Sequence, residues 1–248
     1  MRRRPPPEHQ RSGRRLNTPP QLLALDEAAL DHVDEHGGPG LLWFWESAEP
    51  WIVVGYGQSI AREVHVDACR RDGVPIYRRC SGGGTVVQGP GCLNYGLALP
   101  IALDPDLESI TGANRWIMEH QRSALAGLLA GNVTIEGHTD LAVDGRKFSG
   151  NAQRRKRTAL LFHGTFLHHF ELPLMARWLA FPSAQPGYRS SRDHLEFVTN
   201  TGLDPQAIRN ALQTSWAGLQ TQLPDDVTAR IPALLESRYA KPDWHASR

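Results

Sequence analysis

Residues 78–99 read RRCSGGGTVVQGPGCLNYGLAL, two arginines running into three consecutive glycines and then into an alternating apolar segment. Glycine accepts positive φ and lets the backbone approach a ligand closely, so Gly82, Gly83 and Gly84 can turn several N–H groups toward one anion. Arg78 and Arg79 add fixed positive charge, and a guanidinium fork suits carboxylate or phosphate. The plainer alternative is a glycine-rich hairpin with two solvated arginines. The sequence on either side decides between them.

Upstream, Thr18 with Pro19 at the first helical position and Gln21 three residues on forms a capping-box signal. Leu22, Leu25, Ala29, Leu30 and Val33 then share one helical face, and Gly37-Gly38-Pro39 stops the helix. LLWFWE from Leu41 and WIVVGY from Trp51 predict two strands. A helix with Glu63, Asp67, Arg70, Arg71 and Asp72 on its polar face ends at Gly73 and feeds the strand PIYRR, so the glycine cradle follows a strand. Beyond it, residues 86–87 and 93–99 predict strands flanking a Gly89-Pro90-Gly91 turn. A long helix through Trp116, Ile117, Leu125 and Leu128 closes at Gly131.

Asp144-Gly145 is a strong type I′ hairpin signal. It sets Arg146, Lys147 and Phe148 at the start of the return strand, Lys147 on the face opposite its two neighbours. Cations flanking a turn are ordinarily solvated, but Gly150 inside the strand marks a close backbone approach. Residues 158–167, TALLFHGTFL, form an apolar strand interrupted by His163-Gly164-Thr165, where the glycine lets a ligand pass and Thr165 offers a hydroxyl. The plainer reading is a core strand with a bulge. Three glycine-punctuated, partly polar segments inside apolar strands describe three walls of one pocket. The interleaving of hairpins and helices predicts an α+β fold, a mixed, largely antiparallel sheet flanked by helices.

With 248 residues, 40% of them hydrophobic, the chain supports one sizeable core. Residues 1–15 hold six arginines against Glu8 alone; that segment carries +5 in a chain of net charge +1, which leaves the remainder at −4. The balance gives no global field favouring nucleic acid or membrane. With three prolines and almost no apolar residues, the basic segment is expected to be disordered, and it has neither the apolar face of a transit peptide nor the core of a secretory signal. No run approaches the roughly 18 apolar residues of a membrane helix. Three cysteines, Cys69, Cys80 and Cys92, are too few for a disulfide framework and fit a reducing cytoplasm. His163, His168 and His169 are the tightest histidine cluster, but on a strand 168 points away from the other two, which argues against a zinc site.

Taken together, RRCSGGGTV at residues 78–86, Thr139-Asp140-Leu141, residues 145–152 (GRKFSGNA) and His163-Gly164-Thr165 resemble the lipoate-protein ligase A family, within the biotin and lipoate ligase and octanoyltransferase fold group. PGYRSSRDHLEFVTN from Pro186 is similar to the family's later segment, so the resemblance spans residues 20–200 in order. It implies a class II synthetase-like catalytic domain over residues 17–203, preceded by the disordered segment 1–16 and followed by a helical extension over 204–248. It further implies a two-step reaction in which lipoate or octanoate attacks the α-phosphate of ATP, and a lysine of an acceptor domain then takes the acyl group. By this resemblance Lys147 is the catalytic lysine that meets both the acyl carboxylate and the α-phosphate. Arg79, Ser81, Gly82, Gly83, Gly84, Thr85 and Val86 would hold the phosphate and carboxylate side. Gln88, Asn94, Asp140, Gly150, Ala152, His163, Gly164 and Thr165 would complete the substrate pocket, with Mg²⁺ entering on the triphosphate. The implied acceptor is a lipoyl domain of a 2-oxoacid dehydrogenase E2 or a glycine-cleavage H-type protein, and a monomer is the default.

Three departures matter. Gln88 stands near a position where many relatives carry histidine, and glutamine cannot titrate. Cysteine-dependent octanoyltransferases of the same fold group place their nucleophile after the H-G-T strand, whereas no cysteine follows Cys92 here, which favours ATP-dependent ligation over acyl transfer between carriers. Only a short segment follows the catalytic region, with one amphipathic helix through Ala207, Ile208, Leu212 and Trp216 and another through Ile231, Leu234 and Leu235, either packed on the domain or docking a partner. A full accessory domain is then dispensable or supplied by a separate chain. A non-catalytic binder of a lipoyl compound or RNA is the remaining rival, and the intact lysine motif argues against it.

Overall fold

Gln21 Oε1 accepts the Thr18 N–H at 3.2 Å and closes the expected capping box, from which α1 (Pro19–His36) runs to a stop at Gly37, φ 69°. The computed structural model describes residue 16 and residues 18–247, so the expectation of a disordered basic segment lies outside the described residues. Leu22, Leu23, Leu25, Ala29, Leu30 and Val33 of α1 are buried in the core. Asp26 and Glu27 are buried among them, an acidic pair in the middle of an apolar helix.

The two strands after α1, β1 (Leu41–Trp45) and β2 (Trp51–Val54), enter different sheets. Two short helices, α2 (Ile60–Glu63) and α3 (Val66–Asp72), lead to β3 (Ile76–Arg78), which lies parallel to β2; β4 (Val86–Gln88) lies antiparallel on the other side of β2. The glycine stretch is thus the link from one edge of a three-stranded sheet to the other. The Gly89-Pro90-Gly91 turn does not make a hairpin. It carries the chain from β4 into β5 (Cys92–Pro100), which pairs with β1 and β9 (Ala159–Leu167) in a second sheet. Gly91 permits the crossing because its φ is +85° and a Cβ there would lie 2.4 Å from the backbone of His169 and Phe170.

Between β5 and β9, α4 (Ile110–Ala126) is capped by Ser109 and closes at Gly127, four residues before the expected stop, with residues 128–131 in turns. Then come β6 (Val133–Glu136), β7 (Asp140–Val143) and β8 (Arg146–Arg155), giving a six-stranded antiparallel sheet of order β1-β5-β9-β8-β7-β6. Asp144 and Gly145 have φ of 50° and 73°, the paired positive values that a type I′ turn requires. The α+β, mixed and largely antiparallel architecture expected from the sequence is what the chain adopts.

The last third is helical: α5 (Pro173–Trp178), α6 (His194–Phe197), α7 (Pro205–Ser215), α8 (Asp225–Leu234) and α9 (Pro242–Ala246). The extension packs on the body. Ile208 and Leu212 of α7 are buried beside α4, and Trp216, buried rather than exposed, stacks on His120. Val227 and Ile231 of α8 join the α1 core. The Glu27 carboxylate gathers Arg154 at 3.1 Å, Arg238, and the Tyr239 hydroxyl at 2.6 Å, binding helix, sheet and extension at one buried point. In α9, Trp244 Nε1 donates to the Arg78 carbonyl at 3.0 Å and His245 Nδ1 accepts the Arg78 N–H at 2.9 Å, so this segment covers the outer edge of β3. Among the described residues no helix is long and apolar enough to cross a membrane.

Removing the charge at Glu27 leaves two partly buried arginines facing a neutral amide. Glu27→Gln should cost about 3 kcal/mol, a fall in Tm of roughly 6–12 °C in a thermal melt followed by circular dichroism.

Candidate active site

The two sheets and the segment 182–189 enclose a cavity of about 510 Å³. Its walls include Arg79, Gly83, Gly84, Thr85, Val86, Gln88, Asn94, Asp140, Lys147, Gly150, Ala152, His163, Gly164 and Thr165, so nearly all residues singled out in the sequence converge there. Ser81, which is buried, and Gly82, which is exposed, are not among the residues lining it.

The arginines of the glycine stretch hold structure first. Arg78 is fully buried, and its Nη1 donates to the carbonyls of Gly55, Tyr56 and Gln58 at 2.8–3.2 Å, which corrects its reading as an anion-facing charge. Arg79 folds back on its own loop, donating to Ser81 Oγ (2.9 Å) and to the carbonyls of Gly82 (2.6 Å) and Gly84 (2.9 Å). Burial pulls its pKa down to about 10, still charged at neutral pH. Of the three glycines only Gly83 has positive φ, +84°, and a Cβ there would sit 2.9 Å from Arg79 Nη2. With the carbonyls turned onto Arg79, the exposed side of Gly84 is open: a Cβ would meet nothing within 4 Å. Next to it, the buried Thr85 hydroxyl has no hydrogen-bond partner among the described residues. A buried hydroxyl without a partner on a cavity wall is a place for a ligand oxygen.

Lys147 reaches this cavity because β8 is irregular. Ala142 pairs with Lys147 and Leu141 with Ser149, so Phe148 is an extra residue, a bulge. Strict alternation would set Lys147 and Gly150 on opposite faces. The bulge puts both on the cavity side, where a Cβ at Gly150 would lie 2.7 Å from Lys147 Nζ. Lys147 Nζ pairs with Asp140 Oδ1 at 2.8 Å, and Tyr188 donates to Asp140 Oδ2 at 2.8 Å. Burial and the adjacent Asp140 carboxylate push the Tyr188 hydroxyl well above its usual range, so it stays a donor. The backbone of Lys147 is itself braced, its carbonyl taking the Thr199 N–H at 2.8 Å.

On β9, Gly164 makes room for Asn151: a Cβ would fall 1.7 Å from Asn151 Oδ1, the atom that accepts the Tyr95 hydroxyl at 2.6 Å. Thr165 donates to Asn94 Oδ1 (2.5 Å), Asn94 to Gln88 Oε1 (2.8 Å) and Gln88 to Thr165 Oγ1 (2.8 Å). These three close a ring in which every hydroxyl and amide hydrogen bond runs in one sense, the arrangement that strengthens each member. The Thr165 hydroxyl is therefore spent inside the ring and not offered to a ligand. His163 links two walls, Nδ1 on Asp26 Oδ2 at 2.6 Å and Nε2 on Ser81 Oγ at 2.5 Å. With Nδ1–H on the carboxylate, Nε2 accepts the Ser81 hydroxyl. Ser81 is 1% exposed, so this relay braces the glycine loop rather than presenting a nucleophile.

Asp26, Tyr188, Asn151 and Arg189 also line the site or act on its residues and were not among the sequence expectations. Asp26 had a signal, an acidic pair inside eight apolar helical residues. Tyr188 lies in the segment from Pro186 that resembles the family's later segment, but no role for it was read there. Cys69, Cys80 and Cys92 are all buried, and none lines the cavity. Burial pushes the Cys80 thiol up to about 11 and the Cys92 thiol higher still. A smaller apolar chamber of about 130 Å³, lined by Val87, Met175, Leu179 and Phe197, shares Lys147, Gly150 and Thr165 with the main cavity. Leu23, Trp45 and Val53 add an apolar section to the wall of the main cavity.

A family model described as the lipoyl protein ligase A/B catalytic domain matches residues 18–215. The chain is 32% identical over 152 residues to the lipoate-protein ligase LplJ of Bacillus subtilis, covering 61% of this chain and 43% of that one. It is 25% identical over 260 residues to the octanoyltransferase LipM of Geobacillus kaustophilus, covering 91% and 93%. The chain thus spans about half the length of the curated ligases it matches. In fold it is similar to a lipoate-protein ligase A bound with ATP (TM-score 0.80, 22% identity, 92% and 94% covered). It is likewise similar to a chain from a bi-partite lipoate protein ligase and its E2 lipoyl domain from Thermoplasma acidophilum (TM-score 0.79, 21%, 93% and 92%).

Only the thiolate reacts with disulfide reagents, and burial raises all three thiols above their ordinary value, Cys80 to about 11. The folded chain at pH 8 should release almost no thionitrobenzoate from Ellman's reagent, and all three thiols should react after unfolding in guanidinium. Rapid reaction of a thiol in the folded chain would contradict the buried placement.

Proposed function

The chain belongs to the lipoyl protein ligase A/B catalytic-domain family, and from that premise we propose that it is an ATP-dependent lipoate-protein ligase. It activates lipoate or octanoate to the acyl-adenylate and passes the acyl group to a lysine of a lipoyl domain. The observation that carries the reading is the lysine held in the cavity by Asp140, beside the open glycine loop and the unpartnered Thr85 hydroxyl, with no cysteine on the walls.

In the first step a carboxylate oxygen forms a bond to the α-phosphorus while the bond to the bridging oxygen breaks, and pyrophosphate leaves with the electron pair. Two anions are brought together there, and a preorganised cation lowers that barrier. Lys147 carries three N–H bonds; one is used on Asp140, which leaves two for a carboxylate and a phosphate oxygen. Gly150 keeps the ammonium close to the strand, where an alanine would push it out. Lys147 is common to both apolar lobes, so we assign the acyl chain to the wall section at Leu23, Trp45 and Val53 and the base to the chamber at Met175 and Phe197, with the reacting centre between. In the second step the acceptor amine attacks the acyl carbon and loses a proton as AMP leaves. The cavity carboxylates Asp26, Glu63 and Asp140 are each engaged with partners of their own, so Mg²⁺ would enter on the triphosphate with water completing its shell.

Near end-to-end similarity to octanoyltransferases supports a second reading, acyl transfer between carriers without ATP. It needs a nucleophile that the cavity does not provide as cysteine. The acceptor is proposed to be an E2-type or H-type lipoyl domain, and the bi-partite Thermoplasma relative supports a second chain acting in the transfer step.

Acyl-dependent exchange of pyrophosphate into ATP tests activation apart from transfer. Lipoate or octanoate, and not biotin, should support exchange; Lys147→Ala should lower it by about 10²–10³, and Gly150→Ala by at least about tenfold. Exchange untouched by Lys147→Ala would remove the lysine from the reaction. No exchange with any acid, together with octanoyl transfer from a carrier, would establish the second reading.

A further inference from the structure

Away from the cavity, the last turn of α1 carries His32 and His36, four residues apart and therefore on one face. Their rings stack with centroids 4.8 Å apart and 25° between planes. Asp226, in the first turn of α8, approaches from the other side, its Oδ2 2.7 Å from His32 Nδ1. One ligand atom from each of the three lies within 4.8 Å of the others, and this is the one such grouping of histidine, cysteine and acidic residues among the described residues. We propose that His32, His36 and Asp226 form a site for a first-row divalent transition cation, with Zn²⁺ the best match, which fastens the end of α1 to the start of α8.

The donor chemistry supports this. His36 Nδ1 lies 3.0 Å from the His32 carbonyl, which can only accept, so Nδ1 carries the proton and Nε2 of the neutral ring keeps its lone pair. Anchoring one ring nitrogen on a carbonyl is how metal-binding histidines are commonly oriented. Asp226 Oδ2, 2.7 Å from His32 Nδ1, adds a carboxylate oxygen to the two imidazoles. A cation entering between His32 Nδ1 and Asp226 Oδ2 displaces the proton they share, and that proton leaves to solvent. Two imidazoles and one carboxylate suit Zn²⁺, with water in the fourth position. Tetrahedral ligands at zinc distances sit about 3.4 Å apart, so ligand atoms up to 4.8 Å apart have to close by about 1.4 Å, a shift that falls to the exposed His36 side chain. The nearest opposing charge is Arg230, 3.6 Å from Asp226, and it is held in a two-point pair by Glu35 at 2.8 and 2.6 Å. Mg²⁺ and Ca²⁺ prefer all-oxygen sites and should not compete.

The site lies on a mechanical path. From α8 the chain continues to Arg238 and Tyr239 on Glu27, then to Trp244 and His245 on the strand end at Arg78. A metal at the α1–α8 contact would therefore stiffen the extension that covers this edge.

Zn²⁺ titrated into the full, tag-free chain by calorimetry should bind at one equivalent, with a proton release seen as dependence of the heat on buffer ionisation. Saturation should raise Tm by about 5 °C or more and increase hydrogen-exchange protection over residues 225–246. His36→Ala and Asp226→Asn should each weaken binding at least about tenfold, with the metal-free Tm of His36→Ala unchanged. Co²⁺ should give the visible absorption of a tetrahedral site, lost in the same variants. Binding that survives both substitutions, or no heat and no Tm shift at millimolar Zn²⁺, would overturn the proposal.

Discussion

The 2.8 Å pair between Lys147 and Asp140 is the contact for which the surrounding structure is arranged. A lysine beside a hairpin turn ordinarily extends into water, because its ammonium is strongly hydrated and its stem flexible. Here three separate features keep it inside. The bulge at Phe148 turns the side chain to the cavity face, the missing side chain at Gly150 leaves space for the ammonium, and Tyr188 fixes the carboxylate that holds it. The first two lie within β8 and the third in the segment before α6. The lysine therefore depends on the pairing of β7 with β8 and on the docking of the segment before α6, and it is set only when both are formed.

Asp26 and Glu27 divide a similar task between neighbours on one helix. Adjacent helical residues point about 100° apart, so consecutive acids can serve different surroundings. Asp26 faces the cavity and holds His163, which in turn holds Ser81 and the glycine loop. Glu27 faces the extension and gathers Arg154, Arg238 and Tyr239. A buried pair of acids is costly unless each is fully partnered, and both are. Helix α1 thus sets the position of the loop from one side while the extension, fastened to the same helix, braces the strand that feeds it.

Much of this was legible in the chain itself. The capping box at Thr18, the Asp144-Gly145 turn and the glycine-broken strands are local signals, and local chemistry fixes them. The convergence of the three glycine segments on one pocket was also readable, because each sat on a strand where an apolar pattern was interrupted. What could not be read was non-local. That Gly89 to Gly91 crosses between sheets depends on β4 finding β2 before β5, and the α4 stop at Gly127 differs from Gly131 only by which glycine the tertiary contacts select. The bulge at Phe148 is a registry effect of β7, and Tyr188 meets Asp140 across 48 residues of sequence. Residue types alone also mislead about charge. Arg78 and Arg79 suggest an anion site, but both guanidinium groups are committed to carbonyl oxygens of the loops they shape.

That commitment bears on how an anion would be held. With Arg78 and Arg79 turned inward, Lys147 and Arg189 are the other cations on the cavity walls, and Lys147 is the one paired with a wall carboxylate, Asp140. The Gln88–Asn94–Thr165 side chains spend their hydrogen bonds on one another around a closed ring. A lysine balanced by Asp140, on a wall that also carries the Thr85 hydroxyl, would gain most from a ligand that brings two oxygens of different groups to one point. A carboxylate meeting a phosphate is such a ligand. Under the proposed ligation, the lysine would serve the moment of bond formation more than the binding of either anion alone, which is the condition for lowering a barrier rather than only tightening a complex.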